Sequence, residues 1–159
     1  MTAIDELLQR AVRLGSQGVP TPPRLRLAIV TCMDSRIDPF QIFGLERGDA
    51  HVLRNAGGVV TDDVIRSLIL SQRFLGTQEV MLIHHTRCGA HDLPEEEVKA
   101  AIQAESGIRP PFSLEAFTDI DADVRQSMER IRQSPFLSHR EAVRGFVLDV
   151  DDGSLREIR

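Results

Sequence analysis

Two continuous apolar runs, each followed closely by one of the chain's two cysteines, most constrain how this sequence can fold. Residues 27–30 precede Cys32, and residues 80–83 precede Cys88. Continuous runs of this kind are typical of strands that are covered on both faces, as in a parallel sheet. Neighbouring parallel strands bring their carboxyl ends to one edge, where ligands bind in open α/β sheets. We therefore expect both cysteines to lie at that edge.

The order of the apolar patterns along the chain predicts an α/β fold. Strands and helices alternate through the first half, which indicates a central, mostly parallel β-sheet flanked by helices, with right-handed crossovers. A turn at residues 151–153 leads into the last predicted strand, so the chain should end in a hairpin. The predicted strands span residues 26–31, 51–54, 79–84, 143–150 and 155–158, and the predicted helices span 3–14, 37–43, 61–75, 94–104 and 122–134.

The first 18 residues are predicted to form a helical arm on a single domain that spans residues 1–159. Three prolines separate the arm from the first strand and make a stiff extended linker. A short amphipathic helix needs a surface to cover its apolar face, so we expect the arm to pack on its own sheet or on another subunit. Its apolar positions recur at helical spacing and are Ile4, Leu7, Leu8, Ala11 and Leu14.

Composition argues against several classes of partner. A net charge of -5 with scattered basic residues disfavours a nucleic-acid surface and a polybasic membrane patch. No apolar run approaches the ~20 residues of a membrane span, and residues 1–13 lack the apolar core of a signal peptide. We therefore expect a cytoplasmic protein. In that compartment a disulfide is disfavoured, and the two cysteines favour a metal or catalytic role.

Cys32, His85 and Cys88 together form a three-ligand set for Zn²⁺ with a fourth position left open. His85 and Cys88 are three positions apart at the end of one strand, and Cys32 follows the neighbouring strand. Zinc binds thiolate and imidazole well because it is a borderline-soft ion. Two buried cysteines that act only as small hydrophobic residues are the alternative interpretation. The His-x-x-Cys spacing favours the metal.

Asp34 and Arg36 lie two and four residues after the first cysteine, within reach of the open position. The carboxylate could accept a hydrogen bond from a water molecule there or bind the metal itself. Arg36 could hold Asp34 in a bidentate pair, although a simple ion pair in a turn is the alternative for these two residues. A thiol-dependent phosphatase would need arginine six positions after Cys32, where this chain has Asp38.

The motifs in this chain resemble those of the β-class carbonic anhydrases, over nearly its whole length and most of all the short bacterial members. The resemblance implies an α/β fold, an obligate homodimer or homotetramer, and an arm that reaches a neighbouring subunit. The residues that carry it are Cys32-x-Asp34-Ser35-Arg36, Pro39, Gly48-Asp49, Arg54-Asn55-Ala56-Gly57 and His85-x-x-Cys88-Gly89.

The same resemblance implies a zinc lyase that hydrates CO2 reversibly to bicarbonate and a proton. It implies Zn²⁺ held by Cys32, His85 and Cys88, with Asp34 and Arg36 as a catalytic dyad. A small apolar pocket beside the metal is expected to take CO2, with candidate residues Gly57, Gly58 and Val59.

Two alternatives remain compatible with the sequence. One is a non-catalytic zinc-binding protein in which a carboxylate permanently closes the metal's coordination shell. The other is a hydrolase of a different small linear molecule that uses the same fold. A CO2 hydration assay with metal content measured on the same sample would distinguish them.

Overall fold

The computed structural model describes residues 2–159 and shows a five-stranded β-sheet with five α-helices around it, which confirms the predicted α/β class. Met1, the first residue of the predicted arm, lies outside the described residues. Strands β1 to β5 span Leu27–Cys32, Ala50–Asn55, Glu79–His85, Val143–Leu148 and Leu155–Ile158, and helices α1 to α5 span Ala3–Arg10, Pro39–Phe43, Asp62–Arg73, Glu95–Ser106 and Ile120–Gln133.

The strand order, β2-β1-β3-β4-β5, places β1 and β3 side by side near the centre of the sheet. β1 runs parallel to β2 and β3, and β3 runs parallel to β4, whereas β5 pairs antiparallel with β4. The chain leaves β1 towards β2 on one side and then returns across to β3 on the other. This change of direction creates a topological switch point at the carboxyl ends of β1 and β3, the usual ligand position in such sheets.

Hydrophobic layers cover both faces of the sheet, which explains the continuous apolar runs in β1 and β3. On one face, α3 and α5 contribute Leu68, Val124 and Ile131 to a core that also contains Val30 and Leu82. The layer on the other face contains the two cysteines. Its buried members are Ile29, Cys32, Ile37, Ile83, Cys88, Ala90, Phe117 and Leu148.

Helix α1 begins as predicted but ends at Arg10, four residues before the predicted end. Thr2 and Asp5 form a capping box that fixes its first turn. Its apolar side chains Ile4, Leu7 and Leu8 are 64–70% exposed, so the rest of residues 2–159 does not cover this face. Packing of the arm on its own sheet is therefore not observed, and packing on another subunit stays a prediction.

Membrane insertion by a helix has no support in the described chain. Within residues 2–159, none of the helices combines the length and the apolar character that crossing a bilayer requires.

Candidate metal centre

Cys32, His85 and Cys88 converge at the switch point of the sheet. Cys32 is the last residue of β1, His85 is the last residue of β3, and Cys88 lies in the turn that follows. Their potential ligand atoms all lie within 4.8 Å of one another, and the two Sγ atoms are 3.9 Å apart. All three side chains are buried. The parallel pairing of β1 with β3 produces this convergence because it brings both strand ends to the same edge.

The hydrogen bonding of His85 leaves one ring nitrogen available for a metal. Its Nδ1 lies 2.7 Å from the carbonyl oxygen of Thr86, which can only accept, so Nδ1 carries the proton. In the neutral ring Nε2 therefore carries a lone pair, and this atom is buried without a hydrogen-bond partner among residues 2–159. A buried polar atom without a partner is unfavourable, and a metal ion would satisfy it. The adjacent His84 faces the opposite side, where its Nε2 contacts Asp123 at 2.7 Å.

The electrostatics of the two thiols also fit a metal site. A hydrogen bond from Cys88, opposed by burial and helped by backbone N–H groups, lowers the pKa of Cys32 to about 4. The same contact and burial raise the pKa of Cys88, so the metal-free pair shares one proton. A divalent ion would displace that proton and bind both sulfurs as thiolates. Two thiolates and one neutral imidazole are a ligand set that zinc favours.

Asp34 lies beside these three ligands, and Arg36 holds it in place. The Arg36 guanidinium donates from Nε to Oδ1 at 2.9 Å and from Nη2 to Oδ2 at 2.6 Å. Arg36 also donates its backbone N–H to Oδ1 at 2.9 Å. These hydrogen bonds hold the pKa of Asp34 well below its usual range, so the carboxylate is ionised. Oδ2 lies 3.8 Å from His85 Nε2, which places this charge next to the potential ligands.

Arg54, which has no predicted role beyond the resemblance, fixes the backbone of the same segment. It donates from Nε to the carbonyl of Cys32 at 3.0 Å and from Nη2 to the carbonyl of Asp34 at 2.7 Å. The parallel register pairs Cys32 with Asn55, so Arg54, the residue before Asn55 on β2, can reach the turn after β1. The only sequence signal for this role is an arginine near the carboxyl end of a neighbouring strand.

A mostly apolar cavity of about 420 Å³ opens beside the cysteines and Asp34. Its wall combines residues from three loops, which follow β1, β2 and β3, with one residue from the segment between α4 and α5. The lining side chains away from the ligands are Met33, Ala56, Leu93, Ala90 and Leu114. A cavity of this chemistry suits a small apolar molecule.

Of the three residues predicted for the substrate pocket, Gly57 lines this cavity and the other two do not. Gly58 has φ +70°, and a Cβ added there would lie 2.9 Å from the backbone nitrogen of Cys32. Its lack of a side chain allows the turn after β2 to pack directly on β1. Val59 is 3% exposed and lines a neighbouring cavity of about 480 Å³.

Comparisons with known proteins agree with this site. Residues 27–155 match the family model described as carbonic anhydrase. The chain is 50% identical to β-carbonic anhydrase 1 of Mycobacterium tuberculosis, over 99% of each chain. It is 33% identical to a carbon disulfide hydrolase of Acidithiobacillus thiooxidans, over 85% of this chain and 78% of the relative.

A solved structure shows the same fold over the full length. The crystal structure of carbonic anhydrase from Streptococcus mutans superposes with a TM-score of 0.88 at 37% identity, covering 100% of this chain and 99% of that one. The family match spans both cysteines and His85, and the residues at the sheet's edge form a group that could hold a metal ion. This chain therefore belongs to the β-class carbonic anhydrases, the zinc enzymes that hydrate carbon dioxide.

Proposed function

We propose that Cys32, His85 and Cys88 hold the catalytic zinc ion of this carbonic anhydrase. The observation that carries the assignment is the buried convergence of three ligand atoms within 4.8 Å, one of them the unpartnered Nε2 of His85. Three protein ligands leave one position of a tetrahedral zinc ion for water or substrate. When bound, zinc supplies a Lewis acid that makes water nucleophilic near neutral pH.

Asp34 is proposed to orient the reacting water, and Arg36 to hold Asp34. The bidentate pair keeps the carboxylate ionised and directs Oδ2 towards the ligand cluster. Oδ2 would then accept a hydrogen bond from the water and direct the lone pair of the water oxygen towards the carbon of CO2. A carbon–oxygen bond would form as one C=O π pair moves onto the substrate oxygen, one O–H bond of the water would break, and its proton would pass to solvent while bicarbonate leaves.

The apolar cavity is proposed to bind CO2 next to that water. Gly57 contributes backbone without a side chain to its wall, which leaves space for the substrate. Gly58 supports the pocket indirectly because it lets the turn contact the backbone of Cys32. Val59 follows the same turn, is buried, and lines the neighbouring cavity.

Stopped-flow CO2 hydration with zinc measured on the same sample tests this assignment. Cys32→Ser, His85→Ala and Cys88→Ser should each lose zinc and activity together. His139→Ala is the matched control, because this histidine is exposed and, among residues 2–159, its hydrogen bonds involve only its backbone. Stoichiometric zinc in Cys32→Ser would contradict the ligand set.

The two alternatives make different predictions in the same experiment. A non-catalytic zinc protein would bind zinc but hydrate no CO2. The ion pair between Arg36 and Asp34 argues against this alternative, because Arg36 holds the carboxylate that could otherwise complete the metal's coordination shell. A carbon disulfide hydrolase is the activity named for some relatives near 33% identity. Release of sulfide from carbon disulfide at a rate above CO2 hydration would favour that alternative.

We also propose that the protein is a cytoplasmic homo-oligomer, either a dimer or a tetramer, of a single domain with an arm at residues 1–18. The exposed apolar face of α1 supports an oligomer, and two unpaired cysteines suit a reducing compartment. Deleting residues 1–18 should lower the mass measured by light scattering. A full-length protein that stays monomeric at micromolar concentration would contradict the oligomer, and recovery outside the cytoplasmic fraction would contradict the location.

A further inference from the structure

The two residues between His85 and Cys88 give one backbone carbonyl to each half of the site. The carbonyl oxygen of Thr86 accepts the hydrogen bond from His85 Nδ1 at 2.7 Å. The carbonyl oxygen of Arg87 accepts a hydrogen bond from Arg36 Nη2 at 3.0 Å. This two-residue link therefore contacts both a potential metal ligand and the arginine of the proposed catalytic dyad.

The second residue of the link has an uncommon backbone conformation. Arg87 has φ +53°, in the left-handed region that residues other than glycine seldom occupy. This conformation is unfavourable for a residue with a Cβ, so it persists only where the surrounding structure imposes it. Because φ sets where a residue's own carbonyl group lies relative to the preceding chain, a negative φ would move the Arg87 oxygen away from Arg36.

Hydrogen bonds to the β4–β5 hairpin fix the start of the link. Thr86 donates its backbone N–H to the carbonyl of Leu148 at 2.9 Å, and its Oγ1 accepts the backbone N–H of Val150 at 3.0 Å. The Arg87 side chain also reaches the hairpin, where it pairs with Asp151 at 2.8 Å. Both side chains of that pair are more than half exposed, and such pairs contribute little. The backbone hydrogen bonds of Thr86 are therefore the stronger restraint.

The Arg87 carbonyl restrains a guanidinium that is otherwise half exposed to solvent. Nη2 of Arg36 carries two hydrogens, and its two acceptors are Asp34 Oδ2 at 2.6 Å and the carbonyl oxygen of Arg87 at 3.0 Å. One acceptor belongs to the carboxylate that Arg36 must direct, and the other belongs to a fixed backbone. The second acceptor thus limits the directions in which Arg36 can hold Asp34.

We propose that Arg87 is a positioning residue for the reaction, and that its left-handed backbone directs its carbonyl oxygen to Arg36. The inference rests on the proposed function, because it takes Asp34 and Arg36 as the catalytic dyad. What the reaction requires at this position is a backbone conformation, and the guanidinium of Arg87 is dispensable.

Two substitutions of Arg87 separate the backbone conformation from the side chain. Arg87→Gly and Arg87→Val both remove the guanidinium, but glycine adopts a positive φ readily, whereas a β-branched residue strongly disfavours it. Arg87→Val should lower kcat/KM for CO2 hydration about tenfold, on the scale of one hydrogen bond to a charged group. Arg87→Gly should recover most of that loss.

Asp151→Asn is the matched control for the side chain, because it removes the charge that pairs with Arg87 and leaves φ at that residue unchanged. Its kcat/KM should equal that of the wild type. A loss in Arg87→Gly or Asp151→Asn as large as that in Arg87→Val would overturn the inference, because the side chain would then be required.

The Arg36→Ala background tests whether Arg87 acts through Arg36. Without the guanidinium, the Arg87 carbonyl has no donor to hold, so Arg87→Val should lower kcat/KM no further in this background. A loss that persists there at full size would overturn the inference, since it would reflect a general disturbance of the site.

Hydrogen exchange of the Arg36 guanidinium gives a measurement that needs neither zinc nor turnover. In metal-free protein with isotope-labelled arginine, NMR follows exchange of the Arg36 Nε–H with water, and Arg36→Lys identifies the signal by its loss. Arg87→Val should exchange about tenfold faster than the wild type, and Arg87→Gly should exchange at nearly the wild-type rate. Equal rates in Arg87→Val and the wild type would overturn the inference, even if the variant holds no zinc.

The same measurement separates this inference from the function on which it rests. A zinc-loaded wild-type protein that hydrates no CO2 overturns the proposed function, and the exchange rates still decide whether Arg87 holds Arg36.

Discussion

Replacing Gly58 with alanine tests how closely the turn after β2 must approach Cys32. The glycine has φ +70°, and an added Cβ would lie 2.9 Å from the nitrogen of Cys32 and 2.9 Å from the carbonyl carbon of Thr31. It would also lie 3.2 Å from the carbonyl oxygen of Ile83 on β3. All three atoms are backbone atoms of central strands, so no flexible side chain can move aside.

Two separate effects set the expected magnitude. A positive φ costs a residue with a Cβ about 1–2 kcal/mol relative to glycine. Forcing a methyl group into closely packed backbone costs about 1–3 kcal/mol more. The free energy of unfolding of Gly58→Ala should therefore be about 2–5 kcal/mol lower than that of the wild type, a large part of the roughly 5–15 kcal/mol that stabilises a typical domain. Because the strain falls on Cys32, zinc affinity should also fall, by about 10–100-fold, as for other changes that displace a ligand.

Gly76→Ala is the matched control because it separates the two effects. Gly76 has φ +75°, but a Cβ there would meet no atom within 4 Å. Gly76→Ala should lose only the part of the stability that depends on the positive φ, and it should bind zinc like the wild type. Urea unfolding of the metal-free proteins measures stability, and competition with a chelator measures zinc affinity. Equal stability and zinc affinity in the two variants would refute the close-approach argument.

Three further predictions follow from hydrogen bonds around the site. Arg36→Ala should keep zinc but lose most CO2 hydration, since Asp34 is no longer held; wild-type turnover in this variant would contradict the dyad. Arg54→Ala should keep zinc and lower kcat/KM about tenfold, because two carbonyls lose donors. The control is Arg125→Ala, which removes another exposed arginine. Hydrogen bonds from Lys99 and from backbone N–H groups lower the pKa of Glu95 in the folded protein, so the ionised carboxylate stabilises the fold above the unfolded pKa of glutamate. This contribution disappears as pH falls towards about 2. Urea unfolding should therefore show a smaller loss of stability between about pH 5 and pH 2 for Glu95→Gln than for the wild type.

The sequence predicted the centre of the sheet because both faces of its strands are buried. Leu82 and Ile83 point into opposite hydrophobic layers, and neither face leaves polar positions to interrupt the run. The same reasoning placed Cys32 and Cys88 at one edge, since parallel pairing fixes where strand ends meet. Strands with two buried faces have a strong apolar pattern in the sequence, so their ends can be predicted well. The positions of residues just past those ends can then be predicted as well.

Residues on turns and irregular segments could not be predicted in this way. Val59 was expected to line the substrate cavity, yet it follows two glycines with positive φ values and lines the neighbouring cavity instead. A pattern of apolar residues carries no information about the direction of a side chain after such a turn. Helix α1 ends at Arg10 for a related reason: the apolar spacing continues to Leu14, but within residues 2–159 the side chains of Val12 and Leu14 stay exposed, so packing does not extend the helix.

Leu114 shows why the wall of a cavity is harder to predict than its metal ligands. It lies 26 residues after Cys88, in a segment with no helical or strand periodicity, and its position depends on a carboxylate from a different element. The ligands are specified by chemistry, since few residue types bind zinc, whereas many apolar residues could form a wall.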